Sequence, residues 1–361
     1  MIGTILIFLV LLSGLVLAHE WGHFAAARRS GMKVEEFGIG FPPRLFSWTD
    51  SKGTMWSINL VPIGGFVRIQ GENGEHRLEV GSFATKSYFA RFAVLFGGVF
   101  MNLVVASLLF TFGFAFGLPS VIEAGVDTHA IVSDQAINIV QVLPGSPAEQ
   151  AGLKEGDKVV SIDGETFASG ELAREALKPN LDSAPIELQF EHLGELKTVK
   201  LVPSYIKEID RDGVGLALVE TGQVRYPWYF APVKGVTTTF GLTIQIVQAF
   251  GEMIKGAFTK DSHVAAQLSG PIGIAVLTGD VAKLGFSHLV QFAAMLSVNL
   301  AVLNVLPFPA LDGGRIFFLA VEALRRKPNS QKFEQGVHAT GFLILIALVV
   351  FVTYRDIVNL F

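Results

Sequence analysis

Four stretches of this chain are long and apolar enough to cross a bilayer, and any fold must be arranged around them. A span needs roughly 20 mostly apolar residues. Residues 2–27, 89–118, 289–306 and 341–358 meet that length. The chain has 361 residues, of which 50% are hydrophobic and only 17% charged, with a mean hydropathy of +0.48. Soluble domains carry about 25% charged residues, so this composition excludes a wholly soluble enzyme. A net charge of −4 gives no footprint for nucleic acid. There is no cysteine, so disulfides, thiolate metal sites and a cysteine nucleophile are excluded. Any metal must be held by His, Asp or Glu.

A fifth apolar segment, residues 230–258, contains Lys234, Gln245, Gln248, Glu252 and Lys255. Its apolar residues recur at helical spacing, which predicts an amphipathic helix on or near the membrane surface and not a span. The N-terminal run resembles a signal peptide with Ala18 at a cleavage position. No Lys or Arg precedes it, however, and the apolar helix continues past Ala18. Basic flanks set the orientation. Arg28, Arg29 and Lys33 follow the first span, and Lys86 and Arg91 border the second. Arg315, Arg325, Arg326 and Lys327 lie between the third and fourth. With these flanks cytoplasmic, both termini and residues 119–287 are expected outside the cytoplasm.

Residues 125–222 have the composition of a soluble domain. Strands are expected at 137–142 and 158–162, a short Pro-started helix at 147–151 and a second helix at 172–177. A hairpin is expected over 186–190 and 198–202. The run from Gly145 to Gly164, GSPAEQAGLKEGDKVVSIDG, resembles the bacterial PDZ domain. That likeness implies a sheet edge to which an extended peptide could add. The alternative is a small α/β spacer without a ligand.

The first span contains His19-Glu20-Trp21-Gly22-His23. Residues i and i+4 share one helix face, so both imidazoles can reach one cation, with Glu20 beside them as a general base. The alternative is a pair of packed core histidines. An ionisable group near the bilayer interior costs roughly 2.5–3.5 kcal/mol even on the lenient insertion scale, which argues for a function. His19 lies about 24 Å along the helix from Gly3, within a core about 30 Å thick and toward its cytoplasmic side. Hydrolytic zinc takes three protein ligands and keeps one open position. A third candidate, Asp312, follows the Pro307 and Pro309 breaks and precedes Gly313-Gly314. The spacing leaves two roles open for Asp312, a ligand on the same side as the histidines or the N-cap of a following helix.

HEWGH in the first span, NVLPFPALDGG (Asn304 to Gly314) after the third and the module between them resemble the site-2 protease family of intramembrane zinc metalloproteases, of the bacterial regulator-of-sigma-E protease type. FGIGFP (37–42), NLVPIGGF (59–66) and SGPIGI (269–274) strengthen the likeness. The resemblance implies zinc held by His19, His23 and Asp312, with Glu20 as catalytic base and Asn304 holding the substrate strand or stabilising the intermediate. It implies a membrane-re-entrant β-loop over residues 34–69, turning at 50–53, that pairs with unwound substrate. The expected fold is a polytopic α-helical membrane protein with about four transmembrane helices, that β-loop and one inserted extracytoplasmic PDZ domain. Its expected divisions are 1–118, 125–222, 228–285 and 286–361. The implied activity is cleavage of a transmembrane segment in a pre-shortened single-pass protein such as an anti-sigma factor, in the bacterial cytoplasmic membrane. Three features depart from the family pattern. There is one PDZ-like module where several members have two, Phe41-Pro42-Pro43 replaces a small residue, and Gly97-Gly98-Val99-Phe100-Met101-Asn102 varies a Gly-Pro pattern, leaving Asn102 as the matching polar residue. A non-catalytic membrane adaptor is the rival reading; a transporter is disfavoured because the spans do not repeat.

Overall fold

The structure is a computed structural model that describes residues 2–72, 76, 78–122, 127–178, 184–192, 194–206, 210–259 and 270–360. The expected module boundary at Gly125 and Ser269 of the Ser-Gly-Pro run lie outside the described residues. The chain divides into two compact units, one made of Met1–Gly113 with Ala231–Phe361 and one of Phe114–Phe230. The first helix, α1 (Ile2–Arg29), runs unbroken past Ala18. It leads into a long antiparallel hairpin, β1 (Val34–Thr49) and β2 (Met55–Ile69). Next comes α2 (Tyr88–Phe116). The hairpin turns at 50–54, as the sequence predicts.

The hairpin has two characters. Its base is buried with the end of α1 in a cluster of Phe24, Ala27, Val34, Phe37 and Ile69. Arg28 of α1 pairs with Asp50 in the turn, and Thr54 Oγ1 donates to Val34 O at 2.9 Å. Desolvation pushes the Asp50 carboxyl up. The Arg28 guanidinium, the Trp56 indole and the N–H groups of Thr54 and Lys52 outweigh it and hold the group well below the usual carboxylate range. Beyond the base, Phe41, Leu45, Phe46, Leu60, Val61 and Ile63 are exposed. Exposed apolar side chains in such density mark a surface made for something other than water.

The second unit holds a six-stranded sheet ordered β3-β10-β4-β5-β6-β7. In chain order its elements are β3 (Leu118–Val121), β4 (Ile131–Val142), α3 (Pro147–Gln150), β5 (Lys158–Ile162), α4 (Gly170–Ala176), β6 (Ile186–His192), β7 (Glu195–Leu201), a small β8 (Ser204–Ile206) and β9 (Arg211–Gly213) pair, and β10 (Leu216–Arg225). Ile139, Ile162, Leu188, Leu201 and Leu218 fill its core. The unit is wider than the 125–222 expected from composition, because β3 pairs with β10 over Thr221–Val224. The rest of that edge of β10 faces α4, where Arg174 donates to Leu218 O at 3.3 Å. A cleft of about 350 Å³ lies there, between Ser169, Gly170 and Arg174 on one side and Val219 and Glu220 on the other.

The first unit resumes with α5 (Ala231–Thr259), α6 (Pro271–Leu284), α7 (Phe286–Val305), α8 (Asp312–Arg325) and α9 (Gln331–Leu360). Among the described residues, α1, α2, α7 and α9 are the four helices long and apolar enough to cross a membrane. The segment predicted to be an amphipathic helix is α5, and it is not among the four. It packs on α2, where Gly235 lies against Ser107 and Thr111. The α6 helix is not predicted from sequence. Its start is held from α9 by Asp356, which accepts from Gly270 N–H at 3.2 Å and Gly273 N–H at 2.8 Å.

Candidate metal centre

His19 and His23 lie one turn apart on α1 and are both 7% exposed. What brings them together with other groups is a glycine contact. A Cβ on Gly22 would stand 2.1 Å from Gly97 O, so α1 and α2 touch backbone to backbone there. That approach sets Gly98 beneath the imidazoles. A Cβ on Gly98 would stand 2.4 Å from His23 Nε2 and 2.7 Å from His19 Nε2. The space around the two ring nitrogens therefore exists because position 98 has no side chain. Gly98→Ala is expected to weaken zinc binding by about 5- to 150-fold, the equivalent of about 1–3 kcal/mol of overpacking. Chelator competition on the purified variant checks this.

The third corner is built by a broken helix. Pro307 and Pro309 cannot continue α7, and the chain turns through Leu311 N–H to Phe308 O and Gly314 N–H to Leu311 O. A Cβ on Gly313 would stand 2.1 Å from Leu306 O, so the turn closes only around glycine. Ala310 takes φ +79°, and its N–H donates to His338 Nδ1 of α9 at 2.9 Å. The helix-cap role left open for Asp312 is not realised. The N-cap of α8 is Leu311, without a side-chain cap bond, and Asp312 is the first helical residue, with its carboxylate turned to the histidines.

Asp312 Oδ2 lies 3.0 Å from His19 Nε2 and 3.2 Å from His23 Nε2, and the two Nε2 atoms are 3.1 Å apart. Ligands about 2.0–2.1 Å from a tetrahedral ion stand about 3.3 Å from one another. The three atoms thus form one nearly equilateral face of such a tetrahedron, and two nitrogens and one carboxylate oxygen suit zinc. Among the described residues this is the one cluster of three His, Asp or Glu able to hold an ion. An ion held by these three atoms would keep a further position for water or substrate.

Two main-chain groups steady the site. Val94 O accepts from His23 Nδ1 at 2.8 Å, which turns the Nε2 lone pair of that ring into the triangle. Val67 N–H of β2 donates to Glu20 Oε2 at 3.0 Å. Trp21, Phe24, Phe37 and Trp56 pack ring to ring between α1 and the hairpin and fix the strand that supplies this donor. Asn304 sits half-buried in the last turn of α7, and its side chain has no partner among the described residues. Gly98, His338, Val67 and Val94 escape the sequence reading. The Gly97-Gly98 pair stands out there only as a variation, while Val67 and Val94 act through backbone atoms that no residue type advertises.

The model for peptidase family M50 matches residues 7–348. The zinc metalloprotease RasP of Geobacillus kaustophilus is 30% identical over 424 aligned residues, covering 99% of this chain and 98% of its own. RasP of Oceanobacillus iheyensis is 28% identical, covering 99% of each. Among solved structures, the PDZ domain of an SdrC-like protein from Listeria monocytogenes aligns with 24% of this chain and 92% of its own, at 19% identity and a TM-score of 0.22. Matched nearly from end to end, and with a donor set suited to zinc, the chain belongs to peptidase family M50 and is a zinc metalloendopeptidase of the site-2 protease type.

Proposed function

We propose that His19, His23 and Asp312 hold the zinc, that Glu20 is the catalytic base and acid, and that the substrate is a transmembrane segment. The observation that carries this reading is the near-equilateral triangle of two Nε2 atoms and one Oδ2, built on a helix of spanning length. Zinc held there would supply Lewis acidity toward the scissile carbonyl and the attacking water. The rest falls to the chain. Glu20, held by Val67 N–H, takes a proton from the attacking water and returns it to the leaving amine. A peptide bond inside a helix is shielded by its own hydrogen bonds, so the substrate must first unwind. The exposed apolar half of the β1–β2 hairpin suits a strand surface within lipid, able to pair with the unwound segment. Asn304, whose amide has no partner among the described residues, suits the holding of that strand.

In this reading α1, α2, α7 and α9 span a bacterial cytoplasmic membrane, with both termini and the Phe114–Phe230 unit outside and the metal centre toward the cytoplasm. The unit is a single PDZ-type domain. Its β10–α4 cleft, shortened by β3, receives a peptide or substrate tail and governs which proteins reach the site. The substrate in this reading is a protein already trimmed by another protease, such as an anti-sigma factor.

The test is the full-length protein in detergent, given a transmembrane peptide reporter and assayed for bound zinc. The wild type is expected to hold about one zinc per chain and to cut the reporter within its apolar segment. Asp312→Ala is expected to lose cleavage and to bind zinc more than about 100-fold more weakly, beyond the 10–100-fold typical of outer-shell changes. Full zinc and full activity in Asp312→Ala would remove Asp312 from the ligand set.

A further inference from the structure

The two histidines differ in what meets their second ring nitrogen. For His23 it is a carbonyl, which can only accept, so Nδ1 carries the proton and Nε2 faces the triangle with its lone pair. For His19 it is the side chain of Asn102 on α2, with the amide nitrogen 3.4 Å from Nδ1. Asn102 is 0% exposed, and its Oδ1 is buried with no partner among the described residues. Its main-chain carbonyl accepts from Ser297 Oγ of α7 at 2.8 Å, so its backbone is pinned.

That placement holds a conflict. If His19 Nε2 donates its lone pair to a metal, Nδ1 must carry the ring proton and become a donor. A donor facing an amide NH₂ gains nothing. The oxygen and nitrogen ends of an asparagine amide are nearly the same in shape, and the hydrogen-bond network decides between them. A half-turn of the Asn102 amide brings the partnerless Oδ1 onto His19 Nδ1–H and removes the clash of donors.

We infer that Asn102 is a positioning residue for the metal centre: its amide oxygen accepts from His19 Nδ1–H, fixing the tautomer and plane of that ring so that Nε2 points at the zinc. The inference rests on the ligand set proposed above. In it, Asn102 does for His19 what Val94 O does for His23. The outer partner of a ligating histidine typically accounts for about 10–100-fold in metal affinity.

Zinc affinity of the full-length protein, measured by chelator competition, tests this with four variants. Asn102→Ala and Asn102→Leu, the second of similar volume, remove the acceptor and should each weaken zinc by about 10–100-fold while the thermal melt of the loaded protein shows a folded chain. Asn102→Asp keeps an acceptor and should stay within a few-fold of wild type. A packing role predicts the opposite order, with leucine retaining zinc and aspartate losing it, and that order would overturn the inference. His19→Ala separates the two layers. Loss of zinc in His19→Ala with wild-type affinity in Asn102→Leu refutes the role of Asn102 alone. Unchanged zinc in His19→Ala refutes the metal centre itself. A measurement without substitution at Asn102 stands beside these. In zinc-loaded, ¹⁵N-histidine-labelled protein, the resonance lost in His19→Ala should show a protonated Nδ1 and a metallated Nε2; the reverse tautomer overturns the proposal.

Discussion

Glu20→Gln is expected to abolish cleavage of a transmembrane reporter while leaving zinc content and fold unchanged. The substitution is nearly isosteric, and neither His19, His23 nor Asp312 is altered. The amide oxygen of glutamine can still accept from Val67 N–H, the bond that holds Glu20 Oε2 at 3.0 Å, so the hairpin keeps its grip on α1. What is lost is a group able to take and return a proton. General acid–base catalysis typically contributes about 10²–10⁴-fold. Because the proposed role uses the same carboxylate for the water and for the leaving amine, the loss should reach at least the upper end. The cut fraction of a co-expressed reporter, with zinc measured on the same preparation, checks this. Wild-type cleavage by a zinc-loaded Glu20→Gln protein would sink the assignment of the base.

The second large effect concerns the fold that carries the proposed ligands. Arg91 of α2 and Glu322 of α8 form a two-pronged pair, Nη1 to Oε1 at 2.9 Å and Nη2 to Oε2 at 3.1 Å, with both side chains nearly buried. This pair docks the helix that begins with Asp312 onto the helix that carries Gly98 and Asn102. Arg91→Met leaves the Glu322 carboxylate buried and unpaired, which typically costs about 3–5 kcal/mol. At about 2 °C per kcal/mol for a large domain, the melting temperature should fall by roughly 6–10 °C. Replacing both partners, Arg91→Met with Glu322→Leu, removes the stranded charge and should recover most of the loss, because a buried ion pair and an apolar pair of similar volume are often close in stability. Thermal melts of the two variants in one detergent decide the matter; a double variant as unstable as the single would locate the cost in lost shape and not in lost charge.

Local patterns carried much of the fold. The β5 strand falls at Lys158–Ile162, as its apolar run predicts, and the β1–β2 hairpin turns where Asp50 to Gly53 suggest. The pieces that escaped are those whose stability comes from elsewhere in the chain. The start of α6, Gly-Pro-Ile-Gly-Ile, is poor helix sequence, and it is helical with Pro271 in its first turn and Asp356 capping it from α9. The α9 helix begins at Gln331, ahead of the span expected from residue 341, because a helix need not end where its apolar stretch does. The β3 strand was hidden at the end of an apolar run, and only its pairing with β10 defines it. At the site, the HEWGH spacing made both histidines and Glu20 legible from sequence, since i and i+4 share a face whatever the fold. For Asp312 the spacing alone left cap and ligand open, because both are the same residue type at the same break, and only the family resemblance put it with the histidines. What separates them is a distance across 293 positions of chain.

The supports of this site also differ in how they can be lost by mutation. Val94 O and Val67 N–H belong to the polypeptide itself, so no codon change at 94 removes the first, and at 67 only a change to proline removes the second. Both positions should therefore keep these bonds through apolar replacements of similar size, and a polar residue at Val94, which is 1% exposed, would fail through packing and not through the bond. Asn102 offers no such insurance, because its acceptor is written in the side chain. Conservative substitutions that damage the orientation of the proposed ligands should accordingly show at 102 and not at 67 or 94.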